Sequence, residues 1–335
     1  MDNELRYDHV KKRWVSVAPG RAMRPSDFPI SKIGATLSNS ADTCPFCEGR
    51  EEYTPEEIDA VRKPHSAANG PGWLARVIPN KFSAFDTDGT FEPEQKGFLK
   101  SAYGFGRHEV VVETPQHNQE LYELTPEHIL SVLQLERARY LALSADKRFK
   151  YIHIYKNSGM YAGASLLHSH SQIVALPFEN TENYGLPEYY QREGRCAVCD
   201  LLADDPDGRR LIHQGKHFAI VCPYASRFAY DAWIVPLKHQ EHFGDMDDVQ
   251  AQELAVLIKT YLRAMMDCLE KPSFNTVITT APINAPYREG YHWFMEITPK
   301  LLVPAALEMG TGVFVNFAAP EAAARMLRES FIKCM

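Results

Sequence analysis

The run His168-Ser169-His170-Ser171-Gln172-Ile173-Val174-Ala175-Leu176-Pro177 decides how this chain reads, because the chain carries an echo of it. The echo is His292-Trp293-Phe294-Met295-Glu296-Ile297-Thr298-Pro299. Both runs start on histidine, carry β-branched residues and stop at a proline, as a strand does. Period-two alternation puts His168, His170 and Gln172 on one face.

Working outward, the same succession precedes each copy. A Cys-x-x-Cys pair opens each half, at Cys44-Pro45-Phe46-Cys47 and at Cys196-Ala197-Val198-Cys199. Extended runs follow, Ala75 to Phe82 and Phe218 to Tyr224, and then strands ending in Pro-x-His or Pro-x-x-His, His108 to His117 and Trp233 to His239. Thr125 is an N-cap with Pro126 at the first helical position, ahead of Ile129, Val132, Leu133 and Tyr140. Asp247 plays that part before Leu254, Leu257, Ile258 and Tyr261. Strands return at Tyr151–Tyr155 and Phe274–Thr279. A repeated order of this kind marks a duplicated unit. The expected fold is α+β, with halves 1–177 and 178–335 forming a largely antiparallel half-barrel sheet with flanking helices. No Gly/Ser-rich linker intervenes, and residues 178–195 are the expected seam.

The 335 residues suffice for one large domain or two fused ones, and 45% hydrophobic with 24% charged residues is a globular composition. A net charge of -7 argues against a nucleic-acid partner, though a phosphorylated small molecule still fits. Met1 to Arg13 lacks the apolar core of a signal peptide. No segment approaches the roughly 20 apolar residues that span a bilayer. The expectation is a cytoplasmic protein with no membrane partner. In a reducing compartment its seven cysteines, an odd number, favour metal ligation over disulfides.

Thiolate and imidazole suit zinc in tetrahedral sets. Cys44, Cys47, His117 and His168 form one candidate set, and Cys196, Cys199, His239 and His292 the other. With four protein ligands each, both would be structural zinc sites. His108 and His242 are competing ligands that the repeat alignment disfavours. Cys222, Cys268 and Cys334 lack partners at metal spacing and read as buried thiols.

A strand ending at Asn157 leads into Ser158-Gly159-Met160-Tyr161-Ala162-Gly163-Ala164-Ser165, a small-residue loop that lets backbone N–H groups approach a phosphate. With His168 on the metal, His170 is left as a neutral imidazole able to attack phosphorus and split one displacement into two. A further ligand, or a satisfied strand histidine, is the competing reading of His170. Gln172 can donate to a phosphoryl oxygen without carrying a titratable proton. Phe294 stands where His170 would recur, which predicts one active site per chain.

These motifs resemble the galactose-1-phosphate uridylyltransferase family. So do Arg13-Trp14-Val15, Ala18 to Pro25, Pro79-Asn80-Lys81-Phe82, and Glu308-Met309-Gly310-Thr311-Gly312 before a terminal helix. The family is a branch of the histidine-triad superfamily that also contains ADP-glucose phosphorylases, and the resemblance runs nearly end to end. It implies a catalytic histidine-triad-like first half and a degenerate, metal-binding second half. It also implies a ping-pong reaction. His170 attacks the α-phosphorus of a nucleoside diphosphate sugar, sugar 1-phosphate leaves, and galactose 1-phosphate or inorganic phosphate takes the nucleotidyl group. By matched position Gln172 and Ser165 contact the transferring phosphoryl group, and Asn157 supports the loop. Arg21, Arg24, Asn80, Lys81 and Phe82 line the nucleotide side, where a guanidinium suits phosphate; ordinary loop and surface groups are the alternative for these. Glu308 matches a residue that reaches the sugar, often across a dimer interface, and a solvated carboxylate is its alternative. A homodimer is implied.

The chain also departs from the pattern. Ser169 replaces a proline of the better-known transferases, giving a His-Ser-His-Ser-Gln form that resembles ADP-glucose phosphorylases. Leu307 replaces a tyrosine. Phe294 replaces a ligand that some members use for iron, while Cys196 and Cys199 favour zinc. The implied activity is UDP-glucose:hexose-1-phosphate uridylyl transfer in galactose metabolism, with ADP-glucose phosphorylase as the alternative. A non-catalytic zinc-stabilised nucleotide-binding module and a hydrolase are the readings from other classes.

Overall fold

The computed structural model describes residues 3–8, 13–17, 40–285 and 289–335. Strands of the first half are β1 (Glu4–Asp8), β2 (Arg13–Val17), β3 (Asp59–Arg62), β4 (Trp73–Pro79), β5 (Glu94–Lys96), β6 (Leu99–Tyr103), β7 (Arg107–Val112), β8 (Tyr151–Ser158) and β9 (His170–Leu176). The second half supplies β10 (Leu211–Gln214), β11 (Phe218–Val221), β12 (Ala232–Pro236), β13 (Phe274–Thr279) and β14 (Phe294–Pro299). The helices are α1 (Pro126–Ser144), α2 (Gly185–Glu193), α3 (Ala197–Ala203), α4 (Asp248–Cys268), α5 (Ala306–Thr311) and α6 (Pro320–Cys334).

Ten strands form one antiparallel sheet in the order β3-β4-β7-β9-β8-β13-β14-β12-β11-β10. Read inward from its two edges, the sheet gives the same succession twice, so the duplication seen in sequence is also a duplication of topology. The copies meet where β8 pairs with β13, Tyr155 opposite Val277 and Asn157 opposite Asn275. The sheet is open, with β3 and β10 at its edges. A second, four-stranded sheet, β2-β1-β6-β5, was not expected. Its short β5 and β6 carry no apolar alternation to signal it.

Both long helices start where their caps predict. Thr125 accepts a hydrogen bond from the His128 N–H, and Asp247 from the Gln250 N–H, each cap contributing about 1 kcal/mol. The eight helix residues expected to face inward are all buried. With Ile152, Ile154, Ile173 and Ile297 they form the main core on one side of the sheet. The opposite side carries two small apolar clusters, each built around one Cys-x-x-Cys pair.

Several boundaries differ from the sequence reading. β4 stops at Pro79 and β7 at Val112, short of the extended runs, because each nearby proline lacks a ladder donor. β8 continues one residue past Asn157, to Ser158. β9 begins at His170, so His168 lies just before the strand, its ring turned to the Thr114 carbonyl. The seam 178–195 holds α2. Cys222 is buried as expected, but Cys268 and Cys334 are half-buried, since the last turns of α4 and α6 reach the surface. No helix among the described residues is long and apolar enough to cross a membrane.

Candidate active site

Both predicted ligand sets come together. Within each, the ligand atoms all lie within 4.8 Å of one another. His168 Nδ1 is 3.5 Å from Cys44 Sγ and 3.7 Å from Cys47 Sγ, and His117 Nδ1 is 3.4 Å from Cys47 Sγ. In the second set His292 Nδ1 is 3.7 and 3.4 Å from Cys196 and Cys199, and His239 is 3.6 Å from Cys199. A tetrahedral zinc with sulfur at ~2.3 Å and nitrogen at ~2.05 Å has S···N edges of ~3.6 Å, so both sets fit a metal ion. Each buried histidine is fixed from behind. His168 Nε2 donates to the Thr114 carbonyl at 2.6 Å and His292 Nε2 to that of Pro236 at 3.0 Å, which leaves Nδ1 for the metal. Burial pushes both imidazoles down to about 4, keeping them neutral. Burial, then the Cys44 sulfur, pushes the Cys47 thiol up to about 11; burial, then Cys196, pushes Cys199 to about 12. A bound dication reverses that direction. His108 and His242 join neither set, and His242 Nδ1 instead lies 3.1 Å from Tyr140 Oη.

Beside the first cluster lies a cavity of about 300 Å³, lined among others by Phe46, Asn80, Ser165, His170 and Gln172, at the lower end of ligand-site volumes. His170 is buried, its ring edge-on to Phe46 at 5.4 Å. Its Nδ1 lies 2.7 Å from the His168 carbonyl. A carbonyl only accepts, so Nδ1 carries the proton and Nε2 keeps its lone pair. Burial, reinforced by the Lys156 charge, lowers the pKa of His170 and holds the imidazole neutral.

Gln172 is oriented by residues that the sequence reading did not assign to this site. Its Oε1 accepts from His108 Nε2 at 2.8 Å and from the Tyr155 hydroxyl at 3.1 Å, which leaves the carboxamide NH₂ to donate. His108 had been weighed only as a metal ligand. Its true neighbour depends on the pairing of β7 with β9, Val110 opposite Gln172. Asn157 Oδ1 accepts from Asn275 Nδ2 at 2.8 Å, and Asn275 also donates to the Ala162 carbonyl at 2.9 Å. The second half therefore braces the small-residue loop. Gly159 has φ +83°, and a Cβ there would stand 2.3 Å from Ser273 Oγ. Asn80 Oδ1 accepts the Phe82 N–H at 2.9 Å, and exposed Lys81 and Phe82 complete the rim. Glu308, on α5, is exposed, accepts from the Ala305 N–H at 2.9 Å and does not line the cavity. Arg21 and Arg24 lie outside the described residues.

Comparison with known proteins follows from this geometry. Residues 1–179 match the family of the galactose-1-phosphate uridyl transferase N-terminal domain. The chain belongs to that family. ADP-glucose phosphorylase of Arabidopsis thaliana is 35% identical over 97% of this chain and 92% of its own. Galactose-1-phosphate uridylyltransferase of Thermotoga maritima is 28% identical over 98% and 99%. The crystal structure of the Arabidopsis enzyme with bound ADP-glucose has a TM-score of 0.75 at 33% identity, over 98% and 99% of the two chains. A uridylyltransferase structure reaches 0.81 at 25% identity, over 99% of each. This family member is a nucleotidyltransferase.

The transferase's second half lacks the reactive groups. Phe294, in the place of His170, stacks on Trp233 with centroids 4.1 Å apart. Glu296, in the place of Gln172, pairs with Arg227 at 2.8 Å. A surface depression of about 490 Å³ beside this cluster has its arginines already paired, Arg195 with Asp200 at 3.1 Å and Arg210 with Asp205 at 3.9 Å.

Proposed function

We propose that this transferase moves a nucleotidyl group from a nucleoside diphosphate hexose to a phosphate acceptor through a covalent adduct on His170. One observation carries this reading. A neutral imidazole faces the cavity with Nδ1 tied to the His168 carbonyl at 2.7 Å, so Nε2 is the nucleophile. Nε2 attacks the α-phosphorus, the bond to the β-phosphate side breaks, and hexose 1-phosphate leaves. An oxygen of the acceptor phosphate then attacks the same phosphorus and releases the imidazole. Gln172 NH₂ and the Ser165 hydroxyl stabilise the charge on the phosphoryl oxygens. Asn157 holds the loop, and Asn80, Lys81 and Phe82 line the nucleoside side with Arg21 and Arg24. A phosphate leaving group needs no proton from the enzyme, which suits a glutamine at 172 and disfavours a hydrolase.

The first reading of the substrates is UDP-glucose as donor and galactose 1-phosphate as acceptor, within galactose metabolism. The second, ADP-glucose and inorganic phosphate, is favoured by the 35% identity to an ADP-glucose phosphorylase and by Ser169 in the motif. Zinc is the proposed ion of both clusters, supported by their thiolate–imidazole composition, and with four protein ligands each its role is structural. The mirrored strand order supports a division near 177/178. A homodimer is supported by an exposed apolar run that includes Val303, Met309, Val313 and Phe317. Glu308 sits within it, placed to serve a partner's cavity rather than its own. A cytoplasmic location is supported by the reduced cysteines these clusters require.

Labelled UDP-glucose or ADP-glucose, supplied without acceptor, tests the mechanism. One donor should leave an acid-labile nucleotidyl mass on His170 and none on His170→Ala. No adduct from either donor sinks it.

A further inference from the structure

The serines of the His-Ser-His-Ser-Gln run face away from the cavity, into the core beneath the sheet. Ser169 Oγ donates to the Glu113 carboxylate at 2.6 Å, and Ser171 Oγ to that of Glu136 at 2.6 Å. Lys156 Nζ donates to Glu113 at 2.7 Å, to Ser169 Oγ at 2.8 Å and to the His170 backbone carbonyl at 3.3 Å. All five side chains are buried.

The fold does not require this ion pair. In the second half β13 pairs with β14 as β8 pairs with β9, and Ile278 faces Met295 where Lys156 faces Ser171. Trp293 follows the ligand His292 as Ser169 follows His168. Ile278, Trp293 and Met295 are apolar, buried and part of the same core. Replacing a buried ion pair by apolar groups of similar volume is often neutral or stabilising, so stability does not account for Lys156. What distinguishes the halves at this point is His170 against Phe294.

We infer that Lys156 is a positioning residue for His170, with Glu113 and Ser169 completing the tether. Its three hydrogen bonds pin the backbone of residues 169 and 170 from behind. That backbone sets the direction of the His168 carbonyl, and the carbonyl sets the plane of the His170 imidazole. In-line attack is sensitive to such aim, since a misplacement of about 1 Å can cost roughly 100-fold. The inference rests on the reading of His170 as nucleophile.

The test measures the rate of nucleotidyl-histidine formation by rapid quench, together with donor KM, metal content and thermal midpoint. It compares the parent with Lys156→Met, Lys156→Met/Glu113→Gln and Ser169→Ala. Lys156→Met strands a buried carboxylate and should lose both stability and rate. The double variant removes both charges. It should recover the parent's midpoint and metal content while adduct formation stays at least about 30-fold slow and KM moves less than about threefold. Ser169→Ala keeps the ion pair and should slow the step about tenfold. Adduct formation at the parent rate in the double variant overturns the inference, as does a rate that returns in step with stability. Should neither lysine variant fold, an unimpaired Ser169→Ala overturns it. A parent protein that forms no adduct defeats the functional reading itself, and that result is distinct from these.

Discussion

Each half of the molecule closes a Cys-Cys-His-His cluster against the start of a strand, yet only one half surrounds it with groups that can handle a phosphate. In the first, the residue two beyond the buried ligand is His170, its imidazole neutral and its Nδ1 anchored, next to a carboxamide turned by His108 and Tyr155. In the second, the same positions hold Phe294, packed flat on Trp233, and Glu296, locked to Arg227. The metal cluster is therefore scaffold common to both halves. Chemistry came with one imidazole, one neutral amide and the contacts that aim them.

The two halves can be set against each other experimentally. The largest difference is expected from paired ligand changes. Cys47→Ser loosens His168, whose carbonyl orients His170, and should cut nucleotidyl transfer by about 100-fold or more while metal content falls by one per chain. Cys199→Ser should also lose one metal and lower the thermal midpoint, yet leave transfer within about threefold of the parent. Equal losses of activity in the two would break the comparison.

Gln172→Glu copies the second half into the first. A carboxylate facing the phosphoryl oxygens replaces donation with repulsion, and adduct formation should fall about 100-fold. An unimpaired variant removes Gln172 from the mechanism.

A smaller effect concerns Glu136, buried under β9 and bonded to Ser171. Burial pushes its carboxyl from the ordinary 4.5 up to about 7, with Ser171 acting in the other direction. The folded pKa exceeds the unfolded one, so the stability it contributes is complete below about pH 4.5 and is lost as pH rises through about 7. Glu136→Gln should match the parent near pH 4.5 and gain on it toward pH 8, by about 3 kcal/mol at most. Thermal melts that shift in parallel across that range contradict this. The smallest effect is expected from Phe294→His, which supplies an imidazole without the cavity, the amide or the buried tether. Mass spectrometry should find one nucleotidylated histidine per chain, as in the parent; a second would show that the scaffold alone suffices.

Much of this was legible in the sequence because the decisive signals are local. Caps at Thr125 and Asp247, apolar helix stripes, two Cys-x-x-Cys pairs and histidine-led strands each announce an element or a ligand within a few residues. The repeat then supplied the pairing of distant ligands, since His117 and His168 recur as His239 and His292. The four-stranded sheet stayed hidden because its strands are short and polar. His108 was weighed only as a ligand, and Lys156, Glu113 and Asn275 carried no signal at all. Their roles arise from the cross-strand register, where one residue of slip would turn each side chain to the other face.

The sequence by itself determined the duplicated α+β plan, both metal-ligand sets and the histidine singled out as nucleophile. Those depend on residue type and spacing along the chain. Only the tertiary structure decided how that histidine is aimed. Strands far apart in sequence had to pair before His108 and Tyr155 could turn Gln172, before Asn275 could brace the loop, and before Lys156 could reach the back of His170. Hydrogen bonds act over about 3 Å, and no spacing rule in a sequence specifies which side chains arrive within that distance.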